Sequence, residues 1–244
     1  MNKKILDPLI KNNFTKSIYQ KIGLKKPFVK QSKSDHYRCP SVEELGYVIL
    51  NPYQGIDIPV KEWEDLTYVT YKTDPNTFFA PLTSATGENK LAGFWDDGKP
   101  DKDGIWTSNA LLAPNLVNWV KSTGANFGRV QLIKIEKNTL RETRWGLHLD
   151  DNNRLNPTNE GWVVRMWIEL TDDPESFLVL RSSELDPKTE VKISLPKYTQ
   201  VIVDSEFVFH GVNHNGSKTR YGLIVSLEST PELEQWIVKN KLVD

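Results

Sequence analysis

Short apolar runs separated by turn residues dominate the second half of the chain. The runs are, in order, GRVQLIKIEK from residue 128, WVVRMWIEL, SFLVLRS, EVKISLP, QVIVDSE and RYGLIVSLE. Runs of this length that are rich in β-branched and aromatic residues predict β-strands. Because no long helical pattern separates them, they favour an antiparallel sandwich or barrel of the jelly-roll type.

The first half of the chain has a different pattern. Five prolines between residues 27 and 75 interrupt any long element. The stretch ALLAPNLVNWVKSTG predicts a short helix ending near Gly124, and PELEQWIVKNK predicts a closing helix with Thr230 as its N-cap. We therefore predict one mainly β domain with three parts: a helical and irregular N-terminal portion (1–126), a β core (127–229) and a C-terminal helix (230–244).

The composition narrows the classes of protein that fit. A hydrophobic share of 38% and a charged share of 26% are typical of a globular protein, and a net charge of -1 gives no reason to expect a polyanionic partner. The single cysteine, Cys39, excludes an internal disulfide framework. No apolar run resembles a signal peptide or a membrane span, so we expect a cytoplasmic protein without a membrane partner.

The N-terminus is the one strongly basic segment. Residues 1–38 carry ten Lys or Arg and two Asp, a net charge of +8, so the remainder carries about -9. Such an arm can contact nucleic acid. Its lysines are interleaved with apolar residues at a spacing of three to four, however, which favours the solvated face of an amphipathic helix. Nucleic acid is therefore not the expected partner.

The candidate chemistry starts at His148 and Asp150. Residues i and i+2 of a strand project from one face, so these side chains lie together while Leu149 turns into the packed layer. One histidine and one carboxylate form two thirds of the 2-His-1-carboxylate arrangement of non-haem iron(II) oxygenases, which leaves metal positions open for a bidentate cosubstrate and dioxygen. The motif alone is a weak signal, since a hydrogen-bonded His–Asp pair at a strand end has the same pattern.

The third metal ligand has to come from a distant strand. The chain has four histidines, and His36 lies in the irregular N-terminal region. His210 ends the apolar strand VIVDSEFVFH, which can hold it rigidly inside a barrel, whereas His214 belongs to the turn-like sequence NHNG. We therefore predict His148, Asp150 and His210 as the ligands, and His214 as a surface turn residue.

Arg220 supports this assignment. Asn215 and Gly216 lie about midway between positions 210 and 220, so a hairpin would place Arg220 opposite His210 on the adjacent strand. A guanidinium there can hold the distal carboxylate of 2-oxoglutarate bidentately while the keto acid end chelates the metal. The apolar setting YGLIVSLE favours a buried arginine over one on a strand surface.

Several segments of the β-rich half share their order and spacing with a known superfamily. They are HLDDN at 148–152, RMWIELTDDPESF at 165–177, Asp204, HGVNHNG at 210–216 and Arg220. On these residues the stretch from about 128 to 229 resembles the 2-oxoglutarate/Fe(II) oxygenases, and within them the aspartyl/asparaginyl β-hydroxylase-like branch, which includes bacterial proline hydroxylases. The resemblance implies a double-stranded β-helix, a jelly-roll or cupin-like core, at 127–229. The N-terminal 120 residues carry no matching motif.

The resemblance also implies individual roles. His148, Asp150 and His210 match metal positions, and Arg220 matches a basic residue ten positions after the last ligand, so Fe(II) and 2-oxoglutarate are the implied cofactors. The implied activity is hydroxylation of an unactivated C–H bond, with dioxygen as co-reactant and succinate and CO2 as products. Because halogenases of the superfamily have a small residue in place of the carboxylate, Asp150 favours hydroxylation, and desaturation stays open.

The strand RMWIE carries two further implied roles. Arg165 falls where a basic residue commonly meets a carboxylate of substrate or cosubstrate, although an ion pair with Glu169 on the same strand face is the alternative. Trp167 occupies a position where family members often have a histidine that helps to bind 2-oxoglutarate. It is therefore a cosubstrate-site residue that departs from the family pattern.

The expected substrate is a small polar molecule, an amino acid or amino-acid residue. Arg165 would meet it, with Asp151 at the rim and Trp145 as a pocket wall, although Asp151 and Asn152 also suit a turn after the strand. Trp95, in the Asp- and Gly-rich loop, is a second candidate wall, and residues 85–105 are a candidate lid.

A different functional class suits the same fold. A cupin-like binding protein can carry zinc or no metal, and two histidines with a carboxylate also bind zinc in hydrolases. Zinc hydrolases do not require an arginine beside the last ligand, so Arg220 favours the oxygenase. Nothing in the sequence indicates an oligomeric state.

Overall fold

A computed structural model describes residues 35–70 and 76–242 of the chain. The amphipathic helix expected at the basic N-terminus falls mainly on residues 1–34, outside the described residues. The helices are α1 (Pro40–Glu43), α2 (Lys61–Glu64), α3 (Pro114–Ser122), α4 (Leu140–Trp145) and α5 (Pro231–Asn240). The strands are β1 (Tyr47–Leu50), β2 (Thr77–Pro81), β3 (Thr83–Ser84), β4 (Ile105–Trp106), β5 (Phe127–Ile135), β6 (Val163–Glu169), β7 (Ser176–Arg181), β8 (Val191–Ser194), β9 (Gln200–Val203), β10 (Phe209–His214) and β11 (Arg220–Glu228).

Strands β5 to β11 form a double-stranded β-helix. In the described part of the chain, the larger sheet has the order β1-β9-β6-β11-β5-β2 and the smaller sheet has the order β10-β7-β8. Neighbouring strands pair antiparallel, and a backbone bridge between His148 and His210 extends the smaller sheet beyond β10. The predicted jelly-roll core is confirmed.

An extensive apolar core lies between the larger sheet and the helices. On β6, Met166 and Ile168 contact this core, while Arg165, Trp167 and Glu169 project from the opposite face into the barrel. The alternation in VVRMWIE therefore separates a face on the apolar core from a face on the barrel interior, and both faces are covered. The helices contribute Leu116, Trp119, Val120, Leu233 and Ile237 to this core.

Smaller apolar clusters hold the second sheet. Between the sheets, the packed residues are Leu178, Leu180, Ile193, Leu195, Val201, Val203 and Val208. On the outer face of the smaller sheet, Leu147, Val179 and Phe209 pack with Leu140 of α4 and with Leu149. The expected inward turn of Leu149 into a packed layer is therefore observed, and it leaves the side chains of its two neighbours on the other face.

The N-terminal portion is not only helical and irregular, as was predicted for residues 1–126. Strands β1 and β2 extend the larger sheet at its two edges, and β3 pairs with β4. These strands are two to five residues long, and Pro52 and Pro81 lie at their ends. Short runs beside proline carry too little periodicity to be recognised as strands.

The predicted helices α3 and α5 are confirmed. Pro114 lies in the first turn of α3, and Gly124 follows its end with a left-handed φ of 70°. The Thr230 hydroxyl caps α5 by accepting from the Leu233 N–H. Among the described residues, no helix is both long and apolar enough to cross a bilayer.

Candidate metal centre and active site

Three ligand-type side chains converge at the edge of the smaller sheet. The ligand atoms of His148, Asp150 and His210 all lie within 4.8 Å of one another. The Asp150 carboxylate is 3.9 Å from Nε2 of His148 and 3.8 Å from Nε2 of His210. Backbone hydrogen bonds run both ways between the two histidines, which places their rings on one face with centroids 4.4 Å apart.

Each imidazole presents Nε2 to the centre. Nδ1 of His148 donates to the Gly146 carbonyl at 2.9 Å, and Nδ1 of His210 donates to the Val208 carbonyl at 3.2 Å. A carbonyl can only accept, so both protons reside on Nδ1 and both Nε2 lone pairs stay available for a metal.

The charge states also suit metal binding. Burial first, and the neighbouring His148 second, lower the pKa of His210 to about 4. The ring is therefore neutral at physiological pH, as a ligand has to be. The His148 side chain is 59% exposed, so the centre can be reached from solvent.

Asp150 is anchored through its backbone and its carboxylate. Its N–H donates to the Ser205 carbonyl at 2.8 Å, and Nε of Arg165 donates to Oδ2 at 3.1 Å. Burial acts to raise the pKa of the Asp150 carboxyl, but Arg165 and the two histidines outweigh it and hold the pKa below its usual range. Asp150 is therefore ionised and oriented before a metal binds.

Arg165 supports the carboxylate ligand from behind. Its Nη1 donates to Ser226 Oγ at 2.8 Å, and its Nη2 donates to Asn152 Oδ1 at 2.7 Å. The alternative ion pair with Glu169 is wrong, because that carboxylate contacts a different arginine. The role of Arg165 toward substrate stays a prediction, and its hydrogen bonds make it a positioning residue for the metal ligand.

The sequence patterns missed Asp101 and the buried role of Asn152. Asn152, expected as a turn former, is 2% exposed and donates to Ser205 Oγ at 2.8 Å. Asp101 comes from the candidate lid, yet it is also 2% exposed and lies 3.5 Å from Nη2 of Arg165. No local signal links a loop aspartate to a distant strand, whereas the HLDDN motif did include Asn152.

Arg220 lies inside the barrel, but not in the predicted hairpin. Strand β10 pairs with β7, and β11 pairs with β5 and β6. The connection through Asn215 and Gly216 crosses from the smaller sheet to the larger one, as jelly-roll topology requires. Arg220 and His210 therefore belong to different sheets and do not face each other along one ladder.

The guanidinium of Arg220 is buried and only partly paired. The residue is 1% exposed, its Nη2 donates to the Glu169 carboxylate, and its Cζ lies 5.1 Å from the ring centroid of Trp167. Nε and Nη1 have no hydrogen-bond partner among the described residues. Buried N–H groups without acceptors are rare and destabilising, so this environment suits the carboxylate of a ligand.

His214 is not the surface turn residue that its sequence context predicted. It ends β10 at 0% exposure, with Nδ1 2.8 Å from Ser176 Oγ and Nε2 2.6 Å from the Lys218 carbonyl. Both ring nitrogens are engaged, so His214 has a structural role and neither nitrogen is free for a metal.

The predicted rim residues are dispersed. Trp145 ends α4 and is 79% exposed, so it is not a buried pocket wall. Burial raises the pKa of Glu206 to about 7, and the negative charge of Asp151 adds to the rise. Trp95 lies near two guanidinium groups, with Cζ of Arg129 at 5.7 Å and Cζ of Arg154 at 5.8 Å. Substrate roles for Trp145 and Asp151 stay predictions.

These residues suit the two cofactors that the sequence implies. Two imidazoles and one carboxylate with adjacent open positions are the donor set of mononuclear iron(II) sites. The unpaired N–H groups of Arg220 are the complement of a buried carboxylate, as the distal end of 2-oxoglutarate requires. His148, Asp150 and His210 would hold the metal, and Arg220 the cosubstrate.

Comparisons with known proteins give a match in fold. Neither protein-family models nor curated protein sequences match this chain. A 2OG-Fe(II) oxygenase family oxidoreductase from Burkholderia pseudomallei superposes with a TM-score of 0.50 at 13% identity, covering 79% of this chain and 93% of that one. HygX from Streptomyces hygroscopicus, with nickel and 2-oxoglutarate bound, superposes with a TM-score of 0.43 at 11% identity, covering 78% and 85%. A Pseudomonas putida prolyl-4-hydroxylase superposes with a TM-score of 0.41 at 13% identity, covering 79% and 98%. The chain thus shares the double-stranded β-helix fold of the Burkholderia protein.

Proposed function

We propose that this protein is an Fe(II)- and 2-oxoglutarate-dependent dioxygenase that hydroxylates an unactivated C–H bond of a small polar substrate. The observation that carries the proposal is the presence, in one barrel, of a His148, Asp150 and His210 cluster and a buried Arg220 with unpaired N–H groups. Either feature alone also suits proteins of a different class, such as a zinc hydrolase or an anion-binding protein. Together they match the two ends of 2-oxoglutarate: the metal ligands serve the keto acid end, and Arg220 serves the distal carboxylate.

Iron with 2-oxoglutarate supplies the oxidation: one oxygen atom of O2 enters the C–H bond as hydroxyl, and the other enters succinate as CO2 is lost. The chain's own residues bind and orient. Arg165 keeps Asp150 ionised and correctly aimed, while Arg220 holds the distal carboxylate of the cosubstrate beside the Trp167 ring. The exposed His148 leaves the side of the centre from which a substrate approaches open to solvent.

We assign the protein to the aspartyl/asparaginyl β-hydroxylase-like branch, with an amino acid or amino-acid residue as substrate. The support is the HLDDN motif at 148–152 together with the spacing from His210 to Arg220. The polar lining around Arg165, which includes Asp101 and Asn152, suits a substrate with several hydrogen-bonding groups.

The proposal predicts oxygen-dependent conversion of 2-oxoglutarate to succinate by the iron-loaded protein, at a slow basal rate that an amino-acid mixture accelerates. His210→Ala should abolish the conversion. His36→Ala is the matched control, because His36 packs on Trp162 and the Glu160 carbonyl instead, and it should retain the rate. Iron-loaded protein that consumes neither oxygen nor 2-oxoglutarate would exclude the activity.

A zinc-binding or non-catalytic cupin-like protein is the second candidate, since the same donor set binds zinc. Binding of 2-oxoglutarate distinguishes the dioxygenase from this second candidate. Such a protein would bind zinc tightly at His148, Asp150 and His210 and show no affinity for 2-oxoglutarate that depends on Arg220.

A further inference from the structure

Beside the metal ligands, on the strand that borders β11, lies an arginine with unused donors. Arg129 belongs to β5, and its side chain is 14% exposed. Its Nε and Nη2 are shielded from water and lack a hydrogen-bond partner within the described part of the chain. These two N–H groups point to the same side of the guanidinium and form the fork that grips a carboxylate bidentately.

An unused acceptor lies next to this fork. Oδ2 of Asp101 is 3.8 Å from Nη2 of Arg129 and 3.5 Å from Nη2 of Arg165, yet it accepts no hydrogen bond from any described residue. Oδ1 of the same carboxylate accepts from the Arg129 backbone N–H at 2.7 Å. Asp101 is thus fixed in place, and its Oδ2 has two guanidinium neighbours but accepts no hydrogen bond from a described residue.

The pair adjoins the metal centre. Asp101 contacts Arg165, which contacts Asp150, and Arg129 is among the charges that hold the pKa of Asp150 down. The ring centroid of Trp95 lies 5.7 Å from Cζ of Arg129, so an aromatic ring lies beside the fork. A ligand that occupied the fork would therefore lie close to Trp95 and to Arg165, which positions Asp150.

We infer that Arg129 and Asp101 form the subsite for the main-chain groups of a free α-amino acid, Arg129 receiving the carboxylate and Asp101 the ammonium. This inference rests on the proposed function and specifies its substrate. A donor fork adjacent to a free acceptor is the complement of a zwitterion whose two charged groups are attached to one carbon. With these groups held, the side chain of the amino acid extends toward His148, Asp150 and His210, where its C–H bond is hydroxylated.

The charge balance supports a zwitterion over a simple anion. Arg129 and Arg165 carry two positive charges, and Asp101 and Asp150 carry two negative ones, so this cluster is neutral before the substrate binds. A zwitterion leaves that balance unchanged, whereas a net charge added to a partly buried site has a desolvation cost. Arg154, exposed and 5.8 Å from the Trp95 ring, adds positive charge only at the rim.

The test is calorimetric binding of the free L-α-amino acids to the protein loaded anaerobically with Fe(II) and 2-oxoglutarate. At least one is expected to bind, and its N-acetyl and carboxamide derivatives are expected not to bind. Arg129→Met should weaken binding about 100-fold, the loss expected for two charge-assisted hydrogen bonds. Arg129→Lys, which keeps the charge but not the fork, should fall between. Arg154→Met, the charge-matched control beside the same ring, should change Kd less than about threefold.

The outcomes separate the subsite from the proposed function. If 2-oxoglutarate binds to the iron-loaded protein but no amino acid does, the function stands and the subsite is overturned. The subsite is also overturned if blocked and free amino acids bind equally, or if Arg129→Met and Arg154→Met weaken binding equally. Thermal melting of each variant identifies a fold defect. If Arg129→Met is destabilised, the Kd values of Arg129→Lys and Arg154→Met are compared instead, and the subsite is overturned if the two variants weaken binding equally. If 2-oxoglutarate itself does not bind, both proposals fail.

Discussion

Arg220 and Glu169 form an ion pair that is wholly buried inside the barrel, one residue from each of two neighbouring strands. The pair is neutral overall. A cosubstrate whose distal carboxylate occupies the free N–H groups of Arg220 brings a second negative charge beside Glu169. Two carboxylates sharing one buried guanidinium do not both stay ionised easily, so binding is favoured when Glu169 carries a proton.

We therefore expect 2-oxoglutarate to bind more tightly at pH 6 than at pH 8. Burial raises the pKa of Glu169 to about 7 although Arg220 acts to lower it, so the carboxyl is protonated below pH 7 and ionised above it. Each unit above pH 7 should then weaken binding about tenfold. The measurement is calorimetry on the anaerobic Fe(II) protein across this range.

Glu169→Gln is the matched variant for this pH dependence, because it keeps the shape of the side chain and removes the titration. Its Kd should vary less than about twofold between pH 6 and 8. Asp173 and His214 also act on Arg220 or its surroundings, and burial lowers the pKa of His214. An equal pH slope in wild type and variant would assign the effect to another group.

Arg165→Gln should weaken Fe(II) binding by about 10- to 100-fold, the usual effect of losing a residue that orients a ligand. Without the guanidinium, Asp150 loses the first of the charges that hold its pKa down and also loses its hydrogen bond at 3.1 Å. Arg165→Lys should recover part of the loss. Metal affinity is measured by competition with a chelator, and Arg38→Gln, which breaks a separate pair with Asp204, should leave it within about twofold.

Metal binding should stabilise the fold. At a concentration of 100 Kd, a ligand specific for the native state contributes about 2.7 kcal/mol, and a domain of this size gains roughly 2–4 °C in Tm per kcal/mol. Fe(II) is therefore expected to raise Tm by roughly 5–10 °C under anaerobic conditions. In Asp150→Ala the metal-dependent shift should vanish, whatever the Tm of the metal-free variant. A shift that persists there would place the metal elsewhere.

Substitution of the two histidines of β10 should affect different properties: stability for His214 and Fe(II) affinity for His210. His214→Ala removes a buried ring with both nitrogens engaged and should lower the free energy of unfolding by about 1–3 kcal/mol while preserving Fe(II) affinity. His210→Ala should eliminate Fe(II) affinity with a smaller effect on metal-free stability. Denaturant unfolding and metal titration of both variants check this, and loss of metal in His214→Ala at intact stability would reverse the assignment.

The ligand triad was predictable because its geometry is local. The alternation of extended residues is enough to put His148 and Asp150 on one face, and the apolar run before His210 pointed to the third group. The expected single strand ending at His210 was wrong, because the run divides into β9 and β10 and His210 lies near the start of β10. In the same way, the short apolar runs predicted the strands, and the N-cap at Thr230 predicted the C-terminal helix. What these signals share is that a few adjacent residues determine them.

The features that failed depend on how distant segments meet. The 210–220 segment has the composition of a hairpin, but strands crossing between sheets look the same locally, so the pairing of Arg220 was wrong. The burial of His214 and Asp101 depends on residues far away in the chain, such as Ser176 and Arg165. Glu169, considered as the alternative partner of Arg165, contacts Arg220 instead, because alternation gives the face of a strand and not the partner across it.

The central claim is that one barrel holds iron and 2-oxoglutarate together through His210, Asp150 and Arg220. The most direct test is the visible absorption spectrum of the purified protein after addition of Fe(II) and 2-oxoglutarate without oxygen. We predict a weak charge-transfer band that is absent in His210→Ala and Asp150→Ala and weakened in Arg220→Met. Arg181→Met, which removes a buried arginine paired with Glu190 on the smaller sheet, should retain it. Wild-type protein that binds metal but shows no band, or a band indifferent to Arg220, would contradict the claim.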